Sequence, residues 1–332
     1  MSKEFSGLIV RGNTPEDISA QVEAIALDDL PTGEVLIEVA YSSLNYKDAL
    51  ACQAHPGVVR KLPHVPGIDA AGTVVESSSS SFRAGDQVLV TGYDLGTTHW
   101  GGFCQYVRVP GDWVVAMPHG MTPQTAMSYG TAGFTAAQCV AAIQHHGIHP
   151  DDGEVVVTGA SGGVGSLAVA MLAKLGYQVA AVTGKPERTD MLLRLGAAQT
   201  LARDEVHNDS AKPLLATRWA AAVDTVGGNT LATVVRSMTH RGCVAACGMA
   251  GGHDLAITVY PFILRGVTLA GIDSAQCPRA SRLQIWQRLA GELRLEKLAT
   301  LTRTIRLEDV PAEAAAMLAG KTFGRTLVGL SV

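Results

Sequence analysis

The sequence predicts an α/β protein in which a doubly wound, six-stranded parallel sheet is joined to a mainly β, antiparallel and barrel-like unit. Three observations lead there. From Gly7 to about Trp113, short alternating strands are separated by Gly, Pro and Asp, a rhythm that favours antiparallel pairing. Beyond Pro118, apolar strands of about five residues alternate with helical segments, the signature of βαβ units on a parallel sheet. After Ser274 the remaining elements are too few to build a core and are expected to rejoin the first unit. A chain of 332 residues is long enough for two such domains.

In the first part the strands fall at Gly33–Val39, Ala71–Val75 and Asp86–Val90, each an apolar alternation bounded by turn residues. The serine run Ser77–Ser81 is expected to be a solvated surface turn. In the second part the strands fall at Glu154–Thr158, Gln178–Thr183, Ala197–Leu201, Ala220–Asp224, Gly242–Gly248 and Val267–Ile272. Helices from Gly165 to Leu175 and from Arg188 to Leu195 are among the connections. Six strands suffice for two mononucleotide-binding halves. The tail adds a helix about Ser281–Leu295 and a closing strand Gly324–Val328. The expected domains are therefore 1–129 with 268–332, and 130–267.

Composition narrows the function. Charged residues make up 17% and apolar residues 47%, with 36 glycines, which suits a turn-rich packed protein rather than a disordered one. Net charge is −4 with the signs interspersed, so there is no basic stripe for a nucleic-acid partner. Met1–Ser6 lacks the apolar core of a signal peptide, and glycine breaks every apolar stretch well short of the ~20 residues a membrane span needs. A soluble cytoplasmic protein without a membrane partner is expected. The six cysteines are scattered and are expected to stay reduced. Cys243 and Cys247 share a strand-like run and receive no role. Neither Cys-x₂-Cys pairs nor His and carboxylate at ligand spacing occur, so no metal is expected. The cluster of His145, His146 and His149 is treated as a loop.

The informative motif is Thr158-Gly159-Ala160-Ser161-Gly162-Gly163-Val164-Gly165. It follows an apolar strand and opens an amphipathic helix, the order a dinucleotide-binding, or Rossmann, turn requires. Ser161, Gly162, Gly163 and Val164 would meet the pyrophosphate. Gly162 would let the backbone approach it, Gly165 would let helix and strand pack closely, and the helix amides would face the negative charge. Ala160 stands where the fingerprint has its first glycine. An NAD site usually carries Asp or Glu at the end of the second strand, on the ribose 2′-hydroxyl. Here that position reads Thr183-Gly184-Lys185. A hydroxyl, a free amide and a cation suit a 2′-phosphate, and Arg203 offers a second cation. NADPH is the expected cofactor. Asp224, before Val226-Gly227-Gly228, is expected to shape its turn.

Further motifs give the chain a specific likeness: Ser43-Leu44-Asn45-Tyr46-Lys47-Asp48, Pro66-Gly67-Ile68-Asp69-Ala70-Ala71-Gly72, His99-Trp100-Gly101-Gly102, Gly130-Thr131-Ala132-Gly133-Phe134-Thr135-Ala136 and Cys243-Val244-Ala245-Ala246-Cys247-Gly248. With the glycine turn, these resemble the medium-chain dehydrogenase/reductase superfamily and, within it, the zinc-free quinone-oxidoreductase branch of the YhdH/YhfP type, which includes bacterial acrylyl-CoA reductases. The resemblance covers nearly the whole chain and implies a GroES-like catalytic domain beside the Rossmann domain. Zinc-dependent members carry a catalytic Cys near the Asn45 region, a Gly-His-Glu in place of Gly67-Ile68-Asp69, and a four-cysteine lobe. This chain has none of the three.

The resemblance implies an NADPH-dependent reductase of an activated carbon–carbon double bond, in an enoyl-CoA such as acrylyl-CoA, or of an enone, alkenal or quinone. A non-enzymatic NADPH-binding protein is the alternative from another class. By resemblance Tyr46 lines the cleft near the nicotinamide as proton donor and cofactor contact, and Asn45 and Asp48 flank it, either in catalysis or as caps of a helix or turn. Met249 and Ile263 would meet the nicotinamide half, Ser274 would lie at the cleft edge, and Arg325 would reach the cofactor from the closing strand. Arg60 and Lys61 are candidate contacts for a CoA handle or plain loop charges. The strand Val267–Ile272 is the edge at which a homodimer would pair.

Overall fold

Short strands open the chain in the computed structural model, which describes residues 3–14 and 17–330. In order they are β1 (Glu4–Arg11), β2 (Ser19–Ala26), β3 (Val35–Leu44), β4 (Asp69–Ser77), β5 (Gln87–Thr91), β6 (Tyr106–Val109) and β7 (Val115–Ala116), with the helix α1 (Tyr46–Cys52) between β3 and β4. The helix α2 (Pro123–His145) follows, its backbone broken at Gly130. Next come β8 (Val155–Val157), α3 (Gly163–Lys174), β9 (Val179–Val182), α4 (Thr189–Arg194), β10 (Gln199–Leu201), β11 (Trp219–Asp224), α5 (Gly228–Arg236), β12 (Met238–Ala246), α6 (Tyr260–Arg265) and β13 (Thr268–Gly271). The tail holds α7 (Arg279–Ala290), β14 (Thr302–Arg306), α8 (Val310–Leu318) and β15 (Arg325–Gly329).

Two units result. The first comprises Met1–Thr131, Ala275–Ala290 and Glu296–Val332. Its seven-stranded sheet runs β14-β15-β3-β4-β5-β7, with β6 on β3, and β1 and β2 form a separate antiparallel ribbon. All its pairings are antiparallel except β14 with β15. The ten-residue β3 is the hub: its first half pairs with β4 and β6, and its second half with β15. Leu8, Val35, Ile37, Val74, Phe103, Val107 and Val328 close the core beneath it. The serine run makes the expected surface turn, with the Ser77 and Ser79 hydroxyls accepting from the Ser79 and Ser81 amides.

The second unit comprises Ala132–Ser274 and Gly291–Leu295. Its six strands are all parallel, in the order β10-β9-β8-β11-β12-β13. Numbered from β8, that is 3-2-1-4-5-6, the doubly wound order, whose direction reverses between β8 and β11. Every residue of β8, β9 and β11 is buried, as expected of strands covered on both faces.

Two boundaries differ from expectation. A domain break at 268 cuts into β13, which pairs with β12 along Thr268–Gly271, so the second unit runs to Ser274. The tail helix stops at Ala290 rather than Leu295, and Gly291–Leu295 returns to the second unit, where the Arg294 carbonyl accepts from Lys174. Among the described residues, no helix is long and apolar enough to cross a membrane.

Candidate functional site

In the second unit, the glycine turn connects β8 to α3 at the switch of strand order. Gly159 takes φ +59, so it supplies the tight left-handed turn that the fingerprint assigns to its first glycine. Ala160 stands one residue later, fully buried, with its amide on the Val182 carbonyl at 2.9 Å. The replacement read from the sequence is thus a shift of the turn glycine by one position. At Gly165 a side chain would lie 2.3 Å from the Gly159 oxygen, which is why helix and strand need glycine there. Gly162 caps α3 in extended backbone, and a side chain there would come no closer to protein than 3.3 Å, again to the Gly159 oxygen. The fold itself makes less demand for glycine at 162 than at 165. The Gly162 amide donates to the Gly159 carbonyl at 2.9 Å, so the helix-start amides that an anion would meet are those of Gly163 and Val164, the first residues of α3.

Beside the turn, the structure gathers four of the residues expected at a 2′-phosphate. Thr183 Oγ1 donates to Ser161 Oγ at 3.0 Å and accepts from the Lys185 amide at 3.1 Å. The Arg203 guanidinium lies across Gly184, so close that a Cβ on Gly184 would fall 2.1 Å from its Nε. Partial burial pulls the Lys185 ammonium below its ordinary value; Glu187 opposes this, while the charges of Arg188 and Arg203 add to it. Three cations therefore meet at one corner, and Arg188 is a member that motif spacing did not single out.

Asp224 has the structural place expected of it. It is fully buried, accepts from Thr158 Oγ1 and from the Gly227 amide, each at 2.7 Å, and burial raises its pKa. The Thr225 amide donates back to Thr158 Oγ1, and Thr225 Oγ1 donates to the Thr158 carbonyl. These bonds stitch the ends of β8 and β11 together. Met249 and Ile263, expected at the nicotinamide half, are 71% and 75% exposed, and Ser274 is half-buried at the end of the unit. His146 of the histidine cluster meets the Arg241 carbonyl.

In the first unit, Tyr46 is the first residue of α1 and is 51% exposed. The polar residues on either side of it, Asn45 and Asp48, are buried. Asp48 Oδ2 accepts from the Asn45 amide at 2.8 Å, a capping arrangement that starts α1, and Asp48 Oδ1 accepts from the amides of Ile68 (2.8 Å) and Gly67 (3.2 Å). The Asn45 carboxamide donates to Asp69 Oδ2 at 2.8 Å and to the Ser43 carbonyl at 3.2 Å, and it accepts from Arg325 Nη1 at 3.1 Å. Burial, then the charge of Asp69, pushes Asp48 up to about 7, against the donors that hold it down.

This geometry gives three of the expected residues structural partners, and for Asn45 and Asp48 it favours the capping reading. Asn45 and Asp48 spend their polar atoms on each other and on their neighbours, so they cap and hold α1 instead of facing a reactant. Arg325 is 2% exposed, and its guanidinium donates to the Ser128 carbonyl, Asn45 Oδ1 and Ser43 Oγ. Burial pulls its pKa down, and the carboxylates of Asp69 and Asp48 hold it up. It is the counter-charge of a buried acidic pair. Arg60 and Lys61 are exposed.

Residues 31–119 match the family described as alcohol dehydrogenase GroES-like domain, and residues 163–290 match the one described as zinc-binding dehydrogenase. Acrylyl-CoA reductase AcuI of Ruegeria pomeroyi is 48% identical over 98% of this chain and 99% of its own length. The chain belongs to the medium-chain dehydrogenase/reductase superfamily. Within the superfamily, the yhdH oxidoreductase of Salmonella enterica, solved in complex with NADP, superposes with a TM-score of 0.95 at 48% identity, covering 98% of this chain and 100% of that one. The putative quinone oxidoreductase YhfP of Bacillus subtilis is 45% identical over 99% of this chain and 100% of its own. A crystal structure of Bacillus subtilis yhfP with NAD bound superposes with a TM-score of 0.96, over 99% of this chain and 100% of that one.

Zinc, which one superfamily description carries, does not fit the residues present. Among the described residues, no three His, Cys, Asp or Glu side chains gather as ligands, and the Asp48 and Asp69 oxygens are occupied by N–H and O–H donors. A dinucleotide fits better, given the helix start at Gly163 and Val164 and the cations around Gly184. Sequence reasoning missed Asp69 as a site residue, together with Ser43 and Thr131. The available signal was a lone carboxylate in the apolar run Ile68-Asp69-Ala70-Ala71, since a charge is kept at such a position only when paired.

Proposed function

We propose that this protein is an NADPH-dependent oxidoreductase that reduces the activated double bond of a small α,β-unsaturated acyl-CoA, of the acrylyl-CoA to propionyl-CoA type, without a metal. The observation that carries the proposal is Tyr46, a half-exposed phenol at the first position of a helix whose cap is held by buried groups. The printed name of the Ruegeria pomeroyi relative supports the substrate class.

Ser161, Gly162, Gly163 and Val164 would hold the pyrophosphate, and Thr183, Gly184, Lys185 and Arg203 the 2′-phosphate. Met249, Ile263, Ser274 and Tyr46 are assigned to the nicotinamide side. Bound NADPH supplies the hydride for the β-carbon. The protein must then place a proton on the α-carbon, and a phenolic O–H both orients by hydrogen bonding and delivers that proton. We assign that step to Tyr46 Oη. Conjugation with the thioester carbonyl lets the substrate spread the arriving charge, so the site needs only to orient and protonate. Asn45 and Asp48 contribute by keeping α1 rigid.

A turnover panel of acrylyl-CoA, crotonyl-CoA, simple enones and quinones, each with NADPH and NADH, tests this. NADPH oxidation is expected to be fastest with acrylyl-CoA, and Tyr46→Phe to lower that turnover by about two orders of magnitude. NADPH oxidised no faster with acrylyl-CoA than without it, by an enzyme that turns over another acceptor, refutes the substrate. The printed name of the Bacillus subtilis relative favours a second reading, quinone reduction. A quinone needs no proton placed beside a thioester, so Tyr46→Phe should then cost little. A protein that only binds NADPH would turn over no acceptor at all.

A homodimer and a cytoplasmic location complete the proposal. The dimer is supported by β13, the edge of the six-stranded sheet, and the apolar side chains Val259, Tyr260 and Leu264 exposed on and before α6.

A further inference from the structure

The buried group around the start of α1 holds a carboxylate that neither capping nor cofactor binding explains. Asp69, the first residue of β4, is fully buried. Its Oδ2 accepts from Ser43 Oγ at 2.5 Å, Asn45 Nδ2 at 2.8 Å and the Thr131 amide at 2.9 Å, and its Oδ1 accepts from Thr131 Oγ1 at 2.6 Å. A carboxylate takes about four such bonds, so Asp69 has nothing left for a substrate.

What it determines is the orientation of Asn45. A carboxamide fits its cavity in two orientations related by a flip, and only its neighbours distinguish them. On one side stands Asp69, which only accepts; on the other stands Arg325, which only donates. The reversed amide would set NH₂ against guanidinium and oxygen against carboxylate. Ser43 ties the two controlling groups together, accepting from Arg325 Nη2 at 2.8 Å while donating to Asp69. With its amide on Asp48 as well, residue 45 is held at three atoms, and Tyr46 is the next residue.

We propose that Asp69 is a positioning residue for Tyr46: by fixing the orientation of Asn45 at the head of α1 it sets the aim of the phenol, without touching substrate or cofactor. The proposal rests on the assignment of Tyr46 as proton donor.

Asp69→Asn keeps the shape and replaces an acceptor by a donor, so it faces the Asn45 amide or the Thr131 donors with a like group. It is measured beside Tyr46→Phe and the double variant, with NADPH and acrylyl-CoA. Asp69→Asn is expected to bind NADPH with wild-type affinity and to lose about 30-fold in kcat, and in the Tyr46→Phe background to cost no more than about 2-fold, the mark of two residues acting as one unit. A folded Asp69→Asn with wild-type kcat overturns the positioning role, and so does a loss that appears in full on top of Tyr46→Phe. Should Asp69→Asn not fold, Thr131→Val and Ser43→Ala each remove one hydroxyl donor to Asp69. Each should lower kcat by about 3- to 10-fold, again only when Tyr46 is present; wild-type kcat in both overturns the role. Tyr46→Phe at the wild-type rate overturns the donor assignment and the positioning role with it, whereas a slow Tyr46→Phe beside an unaffected Asp69→Asn removes the positioning role alone.

Discussion

Gly162 and Gly165 lie three residues apart in one turn, and alanine at each should fail in a different way. At Gly165 the new methyl would sit 2.3 Å from the Gly159 oxygen and 2.8 Å from the Ala160 Cα, both backbone atoms that cannot step aside. Overpacking of that kind costs about 1 to 3 kcal/mol, and the better helix propensity of alanine returns about 1 kcal/mol. Contact with two backbone atoms puts the overpacking at the upper end of that range, so a net loss of up to about 2 kcal/mol should lower the melting temperature by about 4 °C in a unit of this size. At Gly162 the backbone is extended, with φ −79, and the nearest protein atom to the methyl is 3.3 Å away. Stability without ligand should stay within about 0.5 kcal/mol. The methyl instead occupies the space a pyrophosphate needs. A 30-fold loss of affinity, about 2 kcal/mol, is expected. At a concentration 100 times the wild-type Kd, NADPH would then stabilise the variant by about 0.9 kcal/mol instead of about 2.7. Melting curves with and without NADPH, and a fluorescence titration of NADPH, measure both effects. Gly162→Ala binding NADPH as tightly as the wild type, or Gly165→Ala melting with it, would refute the division of labour.

Other consequences can be measured in the same material. Arg203→Ala should weaken NADPH by about 10-fold and leave NADH unchanged, because only the former carries the charge that the guanidinium meets; equal losses for both cofactors in a titration would contradict this. Asp48 keeps its proton to about pH 7 in the fold, against 3.8 as its ordinary value. Between those values the folded state binds more protons than the unfolded one, so the carboxyl's contribution to stability falls as pH rises. The wild type should therefore lose about 2 kcal/mol between pH 5 and 7 relative to Asp48→Asn; a gap in urea-unfolding free energy that does not change with pH would rule this out. Leu264→Glu, on the exposed apolar face of α6, should convert a dimer to monomer in sedimentation with the melting temperature preserved, and a wild type that sediments only as monomer would end the dimer proposal.

Much of the second unit was legible because its strands announce themselves twice, by apolar runs and by the turns between them. Expected and observed β8, β9 and β11 agree to within one residue at each end, since burial on both faces leaves no ambiguity of pattern. β12 begins at Met238, four residues earlier than expected, because its first half, Met238-Thr239-His240-Arg241, is polar enough to read as a turn. In the first unit, α1 is a seven-residue helix, too short for helical periodicity to register. The candidate phosphate-binding residues of the glycine turn and of Thr183–Lys185 could be picked out by spacing, since a turn and the strand next to it are close in sequence. The buried set of Ser43, Asn45, Asp69, Thr131 and Arg325 was not, because it is assembled by tertiary contacts between residues 24 to 282 positions apart. Only the oddity of a carboxylate in an apolar strand pointed to it.

The position of β15 bears on how the molecule is made. The last strand among the described residues is not an edge: it lies between β14 and β3, and it brings Arg325, the buried cation that balances Asp48 and Asp69. While the chain is still growing from its N-terminus, the first unit lacks both an interior strand and its compensating charge. Domains emerging from the ribosome usually fold in order of appearance, but here the second unit, whose six strands are all present by Gly271, can complete its sheet before the unit that begins the chain. Emergence of β15 is thus the event that closes the first unit, and a chain cut just short of Arg325 would strand two buried carboxylates without their partner.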